Sequence, residues 1–410
     1  MKVLYLVHQF YPEYYTGTER FVLNLATMMQ KSGHRVKVLT YSFYDDSFYD
    51  QIEGNLCFKQ FTYQGVPVLA FKYKQIPVDI HSSLENGELS QVAKDLLSRE
   101  KADLVHVAHT MRVGALAAAL PSLEIPYIVT LTDFFLICPK YTLYTSKNTL
   151  CNGPDGGTAC LAFCPEFQNH FITKRLATAH ALLANAKVVV SPSHFLRNMM
   201  KLEFQDLPVE IIGYGVRYST IKKNSRKRAK GDELVFSYAG SLNHHKGVHI
   251  LIDAFKNVIG SNCVLNIYGS GAEQNYVNEL IAMAQEDPRI RFLGVFPGEK
   301  VGEILAETDV IVVPSIWYEN TPLVLREAIA CGVPVIASDA GGMAENIKNG
   351  VNGFVFQMGN SGHLKEVIQA IANEPAILTD VKTELNRTII PAVEQEAFAY
   401  ARIYARMLAE

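Results

Sequence analysis

Short apolar runs alternate with longer amphipathic runs along almost the whole chain, and this alternation constrains the fold more than any other feature. Short runs rich in β-branched and aromatic residues predict strands, and segments with helically spaced apolar residues predict helices. Strands that alternate with helices are typical of α/β architecture with parallel sheets. In the first half, strands are predicted at Val3–Val7, Arg35–Tyr41, Val66–Phe71, Leu104–Ala108, Tyr127–Leu131 and Lys187–Ser191.

A second strand–helix series follows a change of composition at residues 222–232. We therefore predict two Rossmann-like domains that face each other across a cleft, an N-terminal one over 1–221 and a C-terminal one over 222–391. Ligands of open parallel sheets bind outside the carboxyl ends of the strands. The predicted strands of the second series are Leu234–Ala239, Val264–Tyr268, Ile290–Leu293, Val310–Pro314, Val335–Ala337 and Phe354–Phe356, and its helices are Val248–Val258, Ala272–Glu286, Lys300–Glu307, Leu323–Cys331 and His363–Asn373.

Two further helices are predicted from apolar stripes. The first covers Glu19–Ser32 and ends at Gly33, a residue that commonly terminates helices. The second covers Ala392–Leu408. One side of this second helix is predicted to carry Phe398, Ala401, Tyr404, Ala405 and Leu408.

Composition and charge limit the class of protein. Of the 410 residues, 49% are apolar and 19% charged, which is typical of a folded globular protein. A net charge of -3 argues against nucleic acid as a partner. The basic run at 222–228 is interpreted as a solvated linker, with contact to an anionic membrane surface as the alternative.

The cellular location of the protein is predicted from the length of its apolar segments. The N-terminal apolar run is too short for a signal-peptide core and is interpreted as the first strand. No run of about 18 apolar residues escapes interruption by proline or charge, so we expect no membrane-spanning helix. We predict a cytoplasmic protein, with peripheral contact at the inner membrane face as the variant that the basic run allows.

The segment 314–345 carries the strongest chemical signal. It holds Glu319 and Glu327, seven residues apart, around Asn320-Thr321-Pro322, where a helix can begin. On one helix the two carboxylates would lie roughly 80° apart around the axis and about 12 Å apart along it. Free N–H donors at a helix N-terminus favour an anion such as a diphosphate. The alternative is a surface helix with two incidental acids.

This segment resembles the E-x7-E element of the retaining glycosyltransferases of family 4, which have the GT-B fold. The resemblance implies that Glu319 lies by the donor sugar and the reacting centre, and that Glu327 accepts hydrogen bonds from ribose hydroxyls. It also implies that the C-terminal helix, at about 392–410, packs back on the first domain. The backbone N–H groups expected to face the donor diphosphate belong to Thr321, Leu323 and Val324, next to Asn320.

The loop Gly240–Gly247 resembles the family's glycine–arginine and lysine–glycine element, whose two cations clamp the donor diphosphate. Lys246 matches the lysine, whereas Ser241 stands where the arginine is usual. The serine donates only a neutral hydrogen bond, so the resemblance implies a greater role for Lys246. The alternative is a solvated loop lysine.

Further positions resemble donor-binding elements of the family. Gly17 follows the first strand, in a loop that usually reads Gly-Gly and here reads Thr16-Gly17. The alternative is a plain strand-to-helix turn. The remaining donor-side candidates are Gly269 at a strand end, Val295 in the segment whose backbone contacts the base, and Gly342 in a glycine turn. Trp317 is either a donor-site aromatic or a core residue.

Two side chains at strand ends of the first domain are candidates for the acceptor side and for catalysis. His109 follows the fourth predicted strand, and Asp133 follows the fifth. Asp133 matches a family position that often reads His-Asp, but Thr132 replaces the histidine. Any role of that histidine therefore does not carry over to this chain.

Four of the seven cysteines cluster in a segment rich in glycine and proline, which is not the pattern of a secreted disulfide protein. One interpretation is a structural zinc or iron–sulfur site that pins a long loop. Free thiols or a redox pair are the alternative. The four residues are Cys138, Cys151, Cys160 and Cys164.

The resemblance predicts a retaining, hexosyltransferase-type glycosyltransferase that moves a sugar from a nucleoside-diphosphate sugar to a saccharide or lipid-linked acceptor, such as a growing polysaccharide. The family implies no cofactor for catalysis. A GT-B epimerase or phosphorylase and a non-catalytic sugar- or nucleotide-binding protein remain as alternatives. A NAD-linked dehydrogenase is disfavoured, because no G-x-G-x-x-G follows the first strand.

Overall fold

A computed structural model describes residues 1–224, 231–260 and 262–409, apart from the side chain of residue 299. These residues divide into two units, one formed by residues 1–214 and 393–410 and the other by 215–392. Of the basic run interpreted as a linker, Ser225, Arg226, Lys227 and Arg228 lie outside the described residues.

The first unit is built on a nine-stranded sheet whose order is β3-β4-β5-β2-β1-β6-β7-β8-β9. From β5 to β9 the neighbouring strands are parallel, and the alternation of strand and helix predicted in this half is confirmed. Its strands are β1 Lys2–Val7, β2 Arg35–Tyr41, β3 Gln51–Glu53, β4 Leu56–Tyr63, β5 Val66–Tyr73, β6 Leu104–Val107, β7 Tyr127–Thr130, β8 Val188–Ser191 and β9 Val209–Ile211. Its helices are α1 Gly17–Lys31, α2 Gly87–Arg99, α3 Gly114–Ala119, α4 Thr158–Phe163, α5 Asn169–Ala184, α6 His194–Glu203 and α13 Val393–Ala409.

The antiparallel edge of this sheet was not predicted. Strand β4 pairs antiparallel with β5 through a two-residue turn at Gln64 and Gly65, both with positive φ. Such turns match the twist of the strands they join. Strand β4 is buried only over Leu56–Phe58, whereas Gln60 and Thr62 are exposed, so it lacks the fully apolar pattern of the central strands.

The second unit contains a six-stranded parallel sheet of order β12-β11-β10-β13-β14-β15, which is the strand order of Rossmann folds. Apolar cores cover both of its faces, which explains why β10 is buried along its whole length. The strands are β10 Leu234–Ala239, β11 Cys263–Tyr268, β12 Ile290–Gly294, β13 Val310–Val313, β14 Val335–Ser338 and β15 Phe354–Phe356. The helices are α7 Val248–Lys256, α8 Gln274–Ala284, α9 Val301–Ala306, α10 Leu323–Cys331, α11 Ser361–Asn373 and α12 Ile377–Arg387.

The boundary between the units falls at 214/215, earlier than the predicted 221/222. Backbone pairing explains the difference. Val216 bridges to Ala392, and its N–H donates to the carbonyl of Pro391 at 2.9 Å. Residues just after 214 are therefore held to the end of the second unit.

The C-terminal helix α13 packs within the first unit, beside α1. The apolar side predicted for it was wrong in part: Tyr404 is buried as expected, but Phe398 is 66% exposed and Leu408 43% exposed. The buried side also carries Tyr400, which the prediction left out. The hydroxyl of Tyr404 lies 2.6 Å from Nδ1 of His106, a buried polar contact that fixes which face turns inward.

Within the described residues, no helix combines the length and the apolar character needed to cross a membrane.

Candidate active site

The second sheet changes direction of winding between β10 and β13, which are neighbours in the sheet but not in the chain. At such a switch point the loops after the two strands diverge and leave a crevice at their carboxyl ends. The loop after β10 contains residues 240–247, and the loop after β13 contains residues 314–322. These are the two segments in which the sequence predicts donor binding.

An ion pair joins the two loops. Nζ of Lys246 lies 2.6 Å from Oε1 of Glu319, and the hydroxyl of Ser315 donates to the same oxygen at 2.8 Å. The Lys246 ammonium also stands 5.0 Å from the ring centroid of Trp317. Burial would raise the pKa of Glu319, but the charge and hydrogen bond of Lys246 and the hydrogen bond of Ser315 outweigh it and lower that pKa. The site therefore holds an ionised carboxylate against a cation.

Glu319 does not lie on the helix where the sequence analysis placed it. Helix α10 begins at Leu323, with Pro322 in extended conformation as its N-cap residue. A residue before proline is also driven away from helical backbone angles, so Thr321 cannot extend the helix backwards. Only Glu327 is helical, and the angular and axial separations expected for two acids on one helix do not apply.

The N-terminal end of α10 provides backbone donors at the crevice. The first N–H groups of a helix have no acceptor within the helix, and the N-cap residue Pro322 makes no side-chain capping bond. Leu323 and Val324 are partly exposed there, whereas Asn320 and Thr321 are buried in the preceding loop. Glu327, one turn further along the helix, is 4% exposed.

Two glycines fix the backbone around Glu319 by close approach. The N–H of Gly342 donates to the carbonyl of Glu319 at 2.7 Å. A Cβ at Gly342 would stand 1.6 Å from the carbonyl oxygen of Asn320. In the same way Gly247, with φ of +70°, would place a Cβ 2.0 Å from the carbonyl oxygen of Pro314. Any larger residue must displace the backbone that holds the ion pair.

The other donor-side candidates of this unit lie at the same edge of the sheet. A Cβ at Gly269 would meet the carbonyl oxygen of Gly240 at 1.8 Å, so these two loops touch. Gly269 donates to the carbonyl of Gly294 at 2.8 Å, next to the exposed Val295. The structure thus brings Ser241, Lys246, Gly269, Val295, Asn320, Thr321, Leu323, Val324, Glu327 and Gly342 to the carboxyl ends of neighbouring strands.

The first sheet has its own switch point, between β1 and β6. His8 follows β1 and His109 follows β6, and their ring centroids lie 3.9 Å apart with the ring planes tilted by 32°. Arg112 joins the same two loops, since its Nη1 donates to Oε1 of Gln9 at 2.9 Å. Each unit therefore concentrates polar side chains where its sheet reverses winding.

His109 and Asp133 form a hydrogen-bonded pair there. Nε2 of His109 lies 2.7 Å from Oδ2 of Asp133, and Nδ1 accepts from the N–H of Met111 at 3.1 Å. For neutral histidine this pattern places the proton on Nε2, which donates to the carboxylate. Thr132, which replaces the usual histidine, donates to the carbonyl of Ala108 at 2.9 Å and joins the ends of β6 and β7.

Three residues at this edge were missed by the sequence analysis as site members: His8, Glu19 and Arg112. Oε1 of Glu19 lies 3.5 Å from Nε2 of His8, and Oε2 accepts from the hydroxyl of Thr16 at 2.6 Å. Burial, then the nearby His109 and Arg112, lower the pKa of His8 well below its usual range. The position of His8 at the end of the first strand was an available signal, whereas nothing in the sequence marks Arg112.

Gly17, the donor candidate of the first unit, opens helix α1 directly after Thr16. The helix begins two residues before the predicted start at Glu19, and Glu19 itself is fully buried beside His8. Gly17 itself is exposed.

The four clustered cysteines line one small cavity in the first unit. All four are free thiols. As placed, no group of three or more His, Cys, Asp and Glu side chains in the described part of the chain is arranged to hold a metal ion. The spacing of the four cysteines in the sequence did not show whether they would meet, and in the structure they line the same cavity.

Comparisons with known proteins cover both units. The family model described as Glycosyltransferase Family 4 matches residues 15–219, and that described as Glycosyl transferases group 1 matches residues 220–390. The chain is 24% identical to an uncharacterized glycosyltransferase, MJ1607, of Methanocaldococcus jannaschii, over 86% of the chain and 84% of that protein. It is also 24% identical to the N-acetyl-alpha-D-glucosaminyl L-malate synthase of Bacillus anthracis, over 87% of the chain and 84% of the synthase.

Among solved structures, Anabaena Alr3699/HepE in complex with UDP and glucose superposes with a TM-score of 0.70 at 20% identity. The superposition covers 99% of each chain. Such a match over both units supports a shared fold.

Proposed function

The chain belongs to glycosyltransferase family 4, and from that premise we propose that it transfers a sugar from a nucleoside-diphosphate sugar to a saccharide or lipid-linked acceptor with retention of anomeric configuration. Its fold is the GT-B fold that the sequence analysis predicted, with two α/β units built on parallel sheets. The donor binds to the second unit and the acceptor to the first.

The observation that carries this proposal is the Lys246–Glu319 pair beside the N-terminus of α10. A lysine ammonium and the backbone N–H groups of Leu323 and Val324 at one crevice suit a diphosphate, whose charge they offset. Lys246 exchanges its carboxylate partner for diphosphate oxygens when the donor binds. It then stabilises the negative charge that develops on the leaving nucleoside diphosphate.

Glu319 supplies the negative charge beside the donor sugar. Its lowered pKa keeps it ionised, and the hydrogen bond from Ser315 and the close approach of Gly342 fix its position. A fixed carboxylate stabilises an oxocarbenium-like sugar as positive charge develops. Glu327 accepts hydrogen bonds from the ribose hydroxyls. Retention is proposed from the resemblance of this segment to the retaining members of the family.

On the acceptor side we assign the central role to Asp133. Both ring nitrogens of His109 are engaged, one by Met111 and the other by Asp133 itself, so His109 positions the carboxylate. Oδ1 of Asp133 accepts from the N–H of Phe135 at 2.8 Å. Asp133 is thereby held at the carboxyl end of β7, where an acceptor hydroxyl can approach it.

The comparisons support the donor class better than the acceptor. HepE was solved with UDP and with UDP-glucose, which makes UDP the first nucleotide to test. One relative is the N-acetyl-alpha-D-glucosaminyl L-malate synthase of Bacillus anthracis, and another is a lipopolysaccharide 1,2-N-acetylglucosaminetransferase. Because these relatives differ so widely, the acceptor class proposed here rests on the family resemblance.

Thermal unfolding with UDP, GDP, ADP and NAD tests the donor class. A nucleotide at about 100 times its dissociation constant raises the unfolding free energy by about 2.7 kcal/mol. We expect one nucleoside diphosphate to raise the midpoint, and Lys246→Ala and Glu327→Ala to abolish the rise. Lys256→Ala, which removes a lysine whose Nζ is 3.9 Å from Glu286 on the same unit, is the matched control.

Turnover then separates transfer from the rival functions. Incubation of the matching nucleotide sugar with saccharide acceptors should release the nucleoside diphosphate only when an acceptor is present, and NMR of the product gives its anomeric configuration. Conversion of the donor without acceptor favours an epimerase. Binding with no turnover favours a non-catalytic protein, and a midpoint unmoved by every nucleoside diphosphate refutes the proposal.

A further inference from the structure

The segment that follows β7 is unusually irregular. Between Thr130 and Thr158 the chain contains no helix longer than three residues and no strand, only an isolated bridge from Tyr144 to Leu150. Several non-glycine residues adopt positive φ, among them Tyr141, Leu143, Asn148 and Asp155. Long loops without secondary structure need some other constraint to hold one conformation.

The apolar packing of this segment is uneven. Its first part is well buried, with Phe134, Phe135 and Ile137 each 1% exposed. Around the last two cysteines the local core is small and consists of Cys160, Ile172 and Leu176, with two phenylalanines packed against it. A cross-link at that end would add to the free energy that orders the loop.

Four thiols converge where a cross-link could form. Cys138, Cys151, Cys160 and Cys164 all line one cavity of about 10 Å³, together with apolar residues that include Ile137, Leu143 and Phe167. A volume of that size accommodates about one water-sized sphere. It therefore fits a single ion and is too small for a multi-iron cluster.

Burial raises the pKa of the Cys138 thiol, and hydrogen bonds from the backbone N–H groups of Leu143 and Lys140 counteract part of that rise. Donors of this kind orient metal-bound sulfur and stabilise its negative charge. The tight turn that brings them there uses the positive φ of Leu143 and Tyr141.

A buried arginine offers the compensating charge. Arg175 is 4% exposed and donates to the carbonyls of Ser82, Phe135 and Leu136. Among the described residues, no carboxylate lies within ion-pair distance of its guanidinium. Cys138, Asp133 and Cys160 are the groups whose negative charge would act on it. A buried cation is costly without such a counter-charge.

We propose that Cys138, Cys151, Cys160 and Cys164 bind one Zn²⁺ as a structural site. Binding displaces the four thiol protons and forms four zinc–sulfur bonds, which gives a tetrathiolate site with a net charge of -2. Arg175 offsets part of that charge. In the structure the four free thiols line the cavity but are not arranged as a metal-binding group. Zinc binding therefore requires the thiols to move toward the ion.

The ion ties three parts of the segment together. It joins Cys138, five residues after Asp133, to Cys151 in the following loop and to both ends of α4 through Cys160 and Cys164. Arg175 on α5 holds the carbonyls of Phe135 and Leu136. The zinc would therefore fix the stretch of chain that leads from Asp133 to α5.

Metal analysis of the full-length protein tests this site independently of any transferase activity. Protein purified without chelator from zinc-supplemented medium should contain about one Zn²⁺ per chain by mass spectrometry of the elements. Cys160→Ser and Cys164→Ser should reduce the zinc content at least tenfold. Cys57→Ser and Cys263→Ser, which alter buried cysteines elsewhere, should leave it unchanged.

A second variant guards against misfolding of the serine variants. Cys151→His replaces a partly exposed thiol with another zinc ligand and should retain the metal, whereas Cys151→Ser should lose it. Strong chelator should lower the unfolding midpoint of the wild type, and added Zn²⁺ should restore it.

Three results would overturn the proposal. The first is wild-type protein with no metal and all seven cysteines reactive to a thiol reagent in denaturant. The second is a thiol count lowered by a disulfide among the four. The third is a visible absorption band with bound iron and sulfide in place of zinc.

Discussion

The ammonium of Lys246 lies 2.6 Å from Oε1 of Glu319, and this pair connects the loops that follow β10 and β13. The two residues are 73 positions apart and meet only because the sheet places these strands side by side. Removing one partner leaves the other charge poorly solvated, whereas removing both does not. Stability and activity should therefore respond differently to single and double substitutions.

The first prediction concerns that pair. Lys246→Ala should lower the unfolding free energy by about 1–3 kcal/mol, because it leaves the Glu319 carboxylate buried without its cation. Glu319→Gln should cost less, since the amide keeps the shape and the hydrogen bonds. The double variant should be more stable than Lys246→Ala alone. Thermal unfolding without ligand measures all three.

Activity should not recover in the double variant. Each substitution removes a charge that acts on the transition state, so each should lower turnover by about two to three orders of magnitude. If Lys246→Ala and Glu319→Gln turned over donor at the wild-type rate, the assignment of this crevice as the reacting centre would be wrong.

A second prediction follows from the buried His106. It lies between the hydroxyls of Tyr404 and Thr130, and burial lowers its pKa from 6.5 to about 3. The unfolded chain takes up a proton at this residue as the pH falls through 6.5, whereas the folded protein does not. Between pH 6.5 and about 3 the unfolded state binds more protons, so stability falls as the pH falls.

The size of this effect is measurable. At pH 5 the His106 contribution is about 2 kcal/mol, from 1.36 kcal/mol per pKa unit over about 1.5 units. His106→Gln should flatten the dependence of the unfolding midpoint on pH by that amount. His170→Gln, at an exposed histidine of the same unit, should leave the dependence as it is. Equal slopes for His106→Gln and the wild type would show that His106 titrates normally.

Much of the second unit was predictable because its strands are mostly apolar and alternate with clearly bounded helices. The strand Leu234–Ala239 and the helix Leu323–Cys331 match the structure at both ends. The antiparallel strand β4 was missed, since only its first three residues are buried and the residues after them alternate polar with apolar side chains. The buried face of α13 was misassigned at Phe398 and Leu408, and Tyr400 was omitted because it turns inward to meet Thr130 on a distant strand.

Candidate residues that belong to a sequence motif, such as Lys246 and Glu319, could be identified from the sequence. The geometry of the site could not be predicted in this way. Placing Glu319 on the helix overlooked the effect of Pro322, and the contact between His8 and His109 depends on strand order. Arg112 has positive φ, a property set by its surroundings and invisible in the sequence.

A third prediction separates the acceptor-side pair from donor binding. Asp133→Asn should lower turnover by about two orders of magnitude, because the amide cannot accept a proton from an acceptor hydroxyl. His109→Gln should have a smaller effect, since glutamine can still donate to Asp133. Neither should change the rise in midpoint that the nucleotide causes, as the Lys246–Glu319 crevice lies in the second unit. A loss of that rise in Asp133→Asn would contradict the division of roles.

The last prediction tests whether the glycine turn positions Glu319. A Cβ at Gly342 would stand 1.6 Å from the carbonyl oxygen of Asn320, a contact that forces the backbone of the donor loop to move. Gly342→Ala should therefore abolish the midpoint rise with nucleotide and lower turnover at least tenfold. Gly298→Ala is the matched control, because it adds the same methyl group in the same unit with no atom within 4 Å. If both alanine variants bound nucleotide like the wild type, the loop around Glu319 would be compliant, and Gly342 would not determine the position of the carboxylate.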